Sequence, residues 1–454
     1  MPNIVIREEE KTSLRPFDAT ENIVLVPLLT DSEVEIATRP VLFNDYFEFK
    51  ASSFWNNIPS IKVTNNSSES SEAETIIKDK SYFVITELLN AGLKVLVKPF
   101  KVSEDAKNIL QDAFDATEDG DLAFAKMVNA LIVGGTESSE GVANDSIFKE
   151  FENKNLYNIK FITTGYWPNV FKKGSNESVA LDGDGGCYTS LTALADNVNG
   201  RGDCVALVEL QQDFTPEEVI AFNITEGTAE DNNSLKNAVC TYPAIKTTLP
   251  TNSTGEIIDF MPASFGYLMA YANSVRVNAN WFAASGIIRG SIPTLVDTKY
   301  DITEGFMRTV QDSSKRMWKI NVIMRTGNYG IRLWGNRVMG SHGYDGDITN
   351  LTFSDFLNVR ILLCDLKKQI YHAALRSTFE PNDDITWVNF KKLCNTLLDK
   401  MQSGRGISWY SWKKEVVTEK ATIKAILTIK PIEAVEYFEI TINLSDEDVE
   451  FAEV

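Results

Sequence analysis

Histidine is nearly absent from this 454-residue chain: His342 and His372 are the only two. His342 lies in the Gly-rich stretch MGSHGYDGD, and His372 in a helical run beside aromatic and alanine residues. No G-x-S-x-G elbow accompanies either, so a histidine-dependent hydrolase has little to build on. The loops G-x-x-x-x-G-K-[ST] and G-x-G-x-x-G are missing too, which removes the usual backbone cradles for nucleotides. Cys187, Cys204, Cys240, Cys364 and Cys394 are odd in number, widely spaced and without a C-x-x-C pair, and they read as buried free thiols in a reducing compartment. No apolar run is long enough to span a bilayer, and MPNIVIREEEK sets three glutamates where a secretion signal needs basic and then apolar residues. Neither membrane insertion nor secretion by that route is expected. Positive charge is in deficit, 44 Lys and Arg against 63 Asp and Glu, a net charge of −19. Such a chain repels phosphate backbones, and no basic cluster overrides the sign, so nucleic acid is not an expected partner.

The most metal-like stretch is LDGDGGCYTSL, where Asp182 and Asp184 alternate with glycines like the opening of a calcium loop. Gly186 and Cys187 then replace the next oxygen ligands, and no glutamate closes the pattern. It reads as a loop feeding a helix over 188–198; a soluble metal-dependent hydrolase using 182–187 is the distant alternative. The RGD at 201–203 is a three-letter match, and the sequons at Asn65 and Asn223 matter only on secretion. No catalytic, cofactor-binding or metal-binding residue is expected.

With 43% hydrophobic and 24% charged residues, the chain is long enough for two to four domains. IVI at 4–6 is a short strand, separated by a polar tether from a second strand, IVLVPLL. Residues 43–55 look helical and 65–74 form a polar, Ser-rich loop. KSYFVITELLNAGLKVLVKPF reads as a helix ended at Gly92 and then a strand. Residues 104–133 form an acidic helical hairpin, and 158–166 and 204–210 are buried strands around the helix at 188. In TPEEVIAF, Thr215 as N-cap, Pro216 at the first turn and Glu218 three residues on make a capping box. This alternation predicts an α/β domain over 101–300. Further on, Phe356, Val359, Leu363, Leu366, Ile370 and Ala374 mark one face of a long helix. Pro381 bars its continuation, and Asn382 or Asp383 caps a second helix running to Gly404.

Two strands follow. ATIKAILTIK (421–430) alternates apart from Ile426, and EYFEITINL (436–444) sets Phe438, Ile440, Ile442 and Leu444 on one face. Only SDEDVEFAEV remains after them. The pair can close one antiparallel sheet, or the terminal strand can cross to a neighbouring subunit by strand addition.

The run LNVRILLCDLKKQIYHAALRSTFEPNDDITWVNF, with Arg360, Phe379, Glu380, Pro381, Asn382 and Trp387, resembles the C-terminal region of contractile phage tail sheath proteins and the sheaths of related injection systems. GNYGIRLWGNRVM, with Trp334 and Gly335, is similar to that family's Gly-x-x-x-Trp-Gly strand and turn, and WFAASGIIRGSI to its Ala-Gly-x-x-Arg-Gly segment. VLVPLLTDSEVEIATRPVLFNDYFEF and YFVITELLNAGLKVLVKPF resemble its N-terminal stretch. The chain departs from the pattern at Ala284, where proline is usual, at Ala91, often glycine, and in lacking an Ala-Arg-Thr-Asp segment.

The resemblance implies an α/β, multidomain chain: an N-terminal exchanged arm (1–22), an N-terminal α/β part (23–100), a subtilisin-like shaped but non-enzymatic α/β middle domain (101–300), an α+β C-terminal sheath domain (301–430) and a C-terminal exchanged arm (431–454). It implies arm strands, Ile4, Val5 and Ile6 at one end and Phe438, Ile440, Ile442 and Leu444 at the other, that complete a sheet on neighbours. Pro16 and Pro431 mark the expected hinges. Implied partners are further copies in stacked hexameric rings, a tail tube protein, and baseplate and tail terminator proteins. The implied location is the virion tail, with assembly in host cytoplasm. The nearer alternative is the sheath of a pyocin-like or other contractile injection system.

Overall fold

The computed structural model describes residues 18–30, 39–64, 74–117, 119–134, 147–172, 186–197, 199–226, 234–247, 260–311, 319–340, 352–415 and 421–435. Ile4, Val5, Ile6, Pro16, Asp182, Asp184, His342, Phe438, Ile440, Ile442 and Leu444 lie outside them. The strands are β1 (Ile23–Thr30), β2 (Val41–Phe43), β3 (Ser60–Thr64), β4 (Glu74–Lys78), β5 (Lys94–Lys101), β6 (Phe161–Ile162), β7 (Val205–Val208), β8 (Ala238–Tyr242), β9 (Ile245–Thr247), β10 (Leu295–Thr298), β11 (Ile320–Arg325), β12 (Ile331–Trp334), β13 (Ile407–Lys414) and β14 (Ala425–Pro431). The helices are α1 (Tyr46–Lys50), α2 (Ser53–Asn56), α3 (Ser81–Asn90), α4 (Glu104–Thr117), α5 (Gly120–Gly134), α6 (Tyr188–Ala195), α7 (Pro216–Glu226), α8 (Ala263–Val275), α9 (Gly286–Arg289), α10 (Glu304–Gln311), α11 (Leu357–Ser377) and α12 (Asp384–Ser403).

Eight strands make one mixed sheet in the order β12-β11-β8-β7-β6-β1-β5-β2. The six inner strands run parallel, and β12 and β2 close the two edges antiparallel. Continuous apolar runs such as IVLVPLLT, VALV and AVCTY are buried along their length, as parallel strands covered on both faces must be. This sheet draws on residues 23–334, so the divisions at 100/101 and 300/301 drawn from sequence cross a single sheet and its core. The run 158–166 is buried throughout but only Phe161–Ile162 is strand, because β6 leaves β1 at Thr163.

Pro27 sits in the middle of central β1, where a proline should break the ladder. Ile23 and Leu25 accept from Lys160 and Thr163, so odd-numbered residues of β1 face β6. At Pro27 that partner has already peeled away, and the missing N–H costs nothing. Two residues on, the Leu29 N–H donates to Asp79 Oδ2 at 2.8 Å instead.

The stretch expected to be helical over 43–55 holds the end of β2 and two short helices, α1 and α2, and the helix expected over 188–198 ends at Ala195. Thr215 and Glu218 form the reciprocal capping box. Gly92 ends α3 at φ +87°. The helices α4 and α5 form the acidic hairpin and lie on the two-stranded β3–β4 sheet, where Gln111 bonds both the N–H and the carbonyl of Thr64. All five cysteines are buried free thiols. The RGD tripeptide is internal: Arg201 and Asp203 are a buried ion pair at 2.8 Å.

α11 is not a one-faced amphipathic helix. Leu357, Ile361 and Cys364 enter the main core, whereas Leu362 and Leu366 enter a second core with Trp281, Leu397, Leu398, Met401 and Ile407. The helix joins the α/β body to the C-terminal pair α11–α12 and its strands.

Candidate functional site

The point where an open α/β sheet ordinarily takes a ligand is the carboxyl-end crevice at which strand order reverses. Here the chain goes from β1 to β5 on one side and returns to β6 on the other, and the crevice is filled. Trp167 is fully buried there and donates its indole N–H to Asp79 at 3.0 Å, while Asp79 also takes the N–H groups of Leu29 and Ser81. Burial holds the Asp79 carboxyl above its usual range despite these bonds. Just after β7, Glu209 accepts from the Ala263 and Ser264 N–H groups at the start of α8, at 3.0 and 2.7 Å, and its burial pushes the carboxyl up to about 7. Both carboxylates are tied to backbone, and neither faces open space. Among the described residues no group of His, Cys, Asp and Glu is placed to hold a metal. His372 sits half-buried on α11, its pKa lowered by burial and by Arg376.

The open surface lies in the C-terminal unit. The motif residues that face inward pin α11 to the body. Arg360 is buried and donates through Nε to Asn237 Oδ1 at 3.0 Å, and Asn237 in turn reaches the Ala195 carbonyl that ends α6. Burial holds this guanidinium below its ordinary pKa. Trp334 ends β12, and Gly335 turns the chain at φ 147°. Asn336 then exchanges bonds with Asn358, 2.7 Å to its Oδ1 and 3.1 Å back from its N–H. Lys160, wholly buried at the start of β6, donates to Asp365 at 3.0 Å and to the Thr20 carbonyl. Residues 18–22, part of the tether in the sequence reading, are therefore anchored: Thr20 also accepts from Asn280, and Ala19 lies in the second core.

The motif residues at the α11–α12 turn face outward. Asp383 caps α12 by accepting the Thr386 N–H at 2.8 Å, which decides between the two candidate caps. Trp387 is buried against Phe390 and Trp412. Phe379, Glu380, Pro381 and Asn382 are exposed, and Phe379 stands fully out of its own fold.

β13 and β14 pair antiparallel, with Tyr410 opposite Ile429 and Trp412 opposite Leu427. That face packs on α12, where the Trp412 indole N–H donates to Asn395 and the Tyr410 hydroxyl to Asp399. The Asp399 bond and partial burial push the Tyr410 phenol up to about 12. The opposite face carries Trp409 and Ile426 at about half exposure, which accounts for the break in alternation at Ile426. Sequence reading left 407–414 unassigned, because aromatics on both faces blur the period of two. Pro431, read as the start of a linker, is the last residue of β14 opposite Ile407, and the Ile432 N–H bonds Gly406 O. Among the described residues this sheet has two strands and both its outer edges lack a ladder partner. A groove of about 480 Å³ runs beside β14, lined by Ile370, Phe379, Trp387, Trp412, Ile423 and Leu427. A second cavity of about 430 Å³ lies at the root of the terminal segment, between Trp281, Trp334, Arg289, Arg405 and residues 432–435.

No known family model and no curated protein matches the sequence. Solved structures do, along nearly the whole chain. A chain of the sheath complex of an extracellular contractile injection system (PVC) in the contracted state is 13% identical, with a TM-score of 0.57 and 98% of each chain covered. A chain of the anti-feeding prophage (AFP) helical sheath in the contracted state is 14% identical, TM-score 0.54, covering 98% of this chain and 99% of that one. A chain of the AFP baseplate is 12% identical, TM-score 0.55, with 98% and 99% covered. This chain therefore has the fold of the sheath proteins of contractile injection systems, the family its motifs resemble.

Proposed function

We propose that this protein is the structural subunit of a contractile tail sheath. It polymerises as stacked hexameric rings around a tail tube and contracts to drive the tube through a host envelope. The observation that carries the reading is the end-to-end likeness to chains of contractile sheaths, joined to a C-terminal hairpin that, among the described residues, has two open edges and a half-exposed apolar face. An isolated two-stranded sheet is marginal in water, and strand addition is how such an edge is completed. The arm strands 4–6 and 436–444 of neighbouring copies are the proposed additions, linking the rings. The middle domain, subtilisin-like in shape on this reading, is a scaffold and not an enzyme. The tube, baseplate and tail terminator are the further partners, in a virion tail assembled in host cytoplasm, and genome ejection is the outcome in a phage. The likeness to AFP and PVC chains favours a second version, a sheath that delivers a cargo other than a genome.

During contraction the body moves as one unit, with pivots outside the anchored residues 20 and 432. Pro16 remains a proposed hinge, and the C-terminal pivot moves from Pro431 to 433–435. The test is negative-stain microscopy of the purified full-length chain beside a chain ending at Val435. Hollow tubes from the first and monomers from the second are expected. Tubes from both would return 436–444 to its own sheet, and no polymer from either would overturn the sheath reading.

A further inference from the structure

We propose that Phe379 and Glu380, at the corner between α11 and α12, dock as a knob into the cavity between Trp334 and Arg405 of a second copy of this chain. The proposal rests on the sheath reading and adds to it a contact between folded bodies, independent of the arms.

The knob is built at a cost that its own fold does not explain. Phe379 is fully exposed and its backbone sits at φ 70°, a region unfavourable for a bulky L-residue. Leu375, Ile385 and Val388 around the same corner are also exposed, so the apolar surface is a patch and not a lone side chain. Strained, exposed residues of this kind concentrate at sites of interaction.

The cavity offers the matching chemistry. Its walls include Trp281, Phe282, Met307 and Trp334, with Arg289 and Arg405 as its two guanidinium groups and Glu433 as its one carboxylate. Arg405 is another L-residue in the left-handed region, at φ 61°. It is held there because Gly404 and Gly406 press so closely on the Trp281 indole that a Cβ at either would lie under 3.0 Å from the ring. Arg289 donates to the Ala283 carbonyl and lies over the Phe282 ring, bonds that leave it without a carboxylate partner among the described residues. An aromatic floor with an excess of positive charge fits a phenyl ring followed at once by a carboxylate.

Geometry makes the contact intermolecular. Asn358, at the first turn of α11, lines the cavity, and Phe379 lies just past the other end of that 21-residue helix, roughly 30 Å away at 1.5 Å per residue. A knob at one end and a socket at the other cannot meet within one chain. Between copies they form a head-to-tail contact, which propagates into rings or helices. The terminal segment leaves from the rim of the same cavity, at 432–435, so a neighbour whose hairpin receives that segment also brings its own α11–α12 corner close by.

The experiment is a charge exchange in the full-length chain, with polymer measured by sedimentation and microscopy and folding by thermal melting. Glu380→Arg or Arg405→Glu alone should raise the concentration needed for assembly by about tenfold or more, and the two together should bring it back towards wild type. Phe379→Gly should melt no lower than wild type, since glycine relieves the left-handed strain, and yet lose assembly. Single variants that assemble like wild type would overturn the contact and leave the sheath reading standing. An Arg405→Glu defect not repaired by Glu380→Arg would also overturn it, pointing to another acidic occupant such as residues 445–454. Wild-type protein that never assembles would overturn the sheath reading, and this contact with it.

Discussion

Glu209 is the residue whose environment makes the most direct demand on solution behaviour. It is fully buried, and its carboxyl is raised from 4.5 to about 7 by that burial, although two backbone N–H groups favour the ionised form. The folded state thus binds a proton that the unfolded state has already lost between these pH values. The stabilisation contributed by Glu209 is therefore full below about 4.5, is lost as pH rises to about 7 and is constant beyond, a loss on the order of 3 kcal/mol. Asp79, raised in the same direction, adds to the slope. Thermal melting from pH 5 to 8 should therefore show a decline in wild type that is clearly shallower in Glu209→Gln. Parallel curves for the two proteins would contradict this account. The same two residues show why no chemistry was legible at this place in the sequence. Asp79 and Glu209 are far apart in the chain and in no motif, and only the packing of the Leu29 and Ser81 N–H groups on one and of the start of α8 on the other assigns their roles.

At the scale of elements, the C-terminal unit depends on how closely the Gly-Arg-Gly turn after α12 approaches Trp281. The indole donates to the Gly404 carbonyl at 2.8 Å and touches both glycines. Gly406→Ala would set a Cβ 2.8 Å from Trp281 and 2.9 Å from Leu362, both buried side chains of the second core. The expected cost is roughly 1–3 kcal/mol, concentrated in β13 and β14, with faster backbone hydrogen exchange there than in the main sheet. Equal acceleration in both would mean that the hairpin and body unfold as one element. The helices of this unit were well marked in sequence because Pro381, Asp383 and Gly404 are local stop and start signals. β13 was not marked, since Trp409 and Trp412 fall on opposite faces and only the pairing with β14 assigns them.

At the scale of the whole molecule, the charge balance bears on the proposed assembly. A net charge of −19 spreads repulsion over the surface, so the proposed polymer needs specific contacts that outweigh it, and the proposed exchanged strands would be one such contact. Strands paired on a neighbour are shielded from proteases. Trypsin cleavage after Arg7, which directly follows the proposed arm strand 4–6, should accordingly be about tenfold slower or more in polymer than in free subunit, since cutting requires local opening. Equal rates at both stages would exclude exchange of the N-terminal strand.

The sequence alone determined which residue types are scarce, several helix caps and the α/β alternation. These depend on composition or on residues a few positions apart: two histidines without an elbow, five scattered cysteines, the Thr215–Glu218 box, Gly92 at its positive φ. Motif residues such as Arg360 and Phe379 could be picked out in order, but their division of labour could not. Arg360 turns inward to Asn237 and Phe379 outward to solvent, although both stand in one continuous run. Only the tertiary structure decided that residues 23–334 share one sheet, that α11 serves two cores, that Pro431 ends a strand, and that a knob and a cavity stand at opposite ends of one helix. Each of these is a relation between segments tens to hundreds of residues apart. Local propensity carries no information about such distances, and packing does.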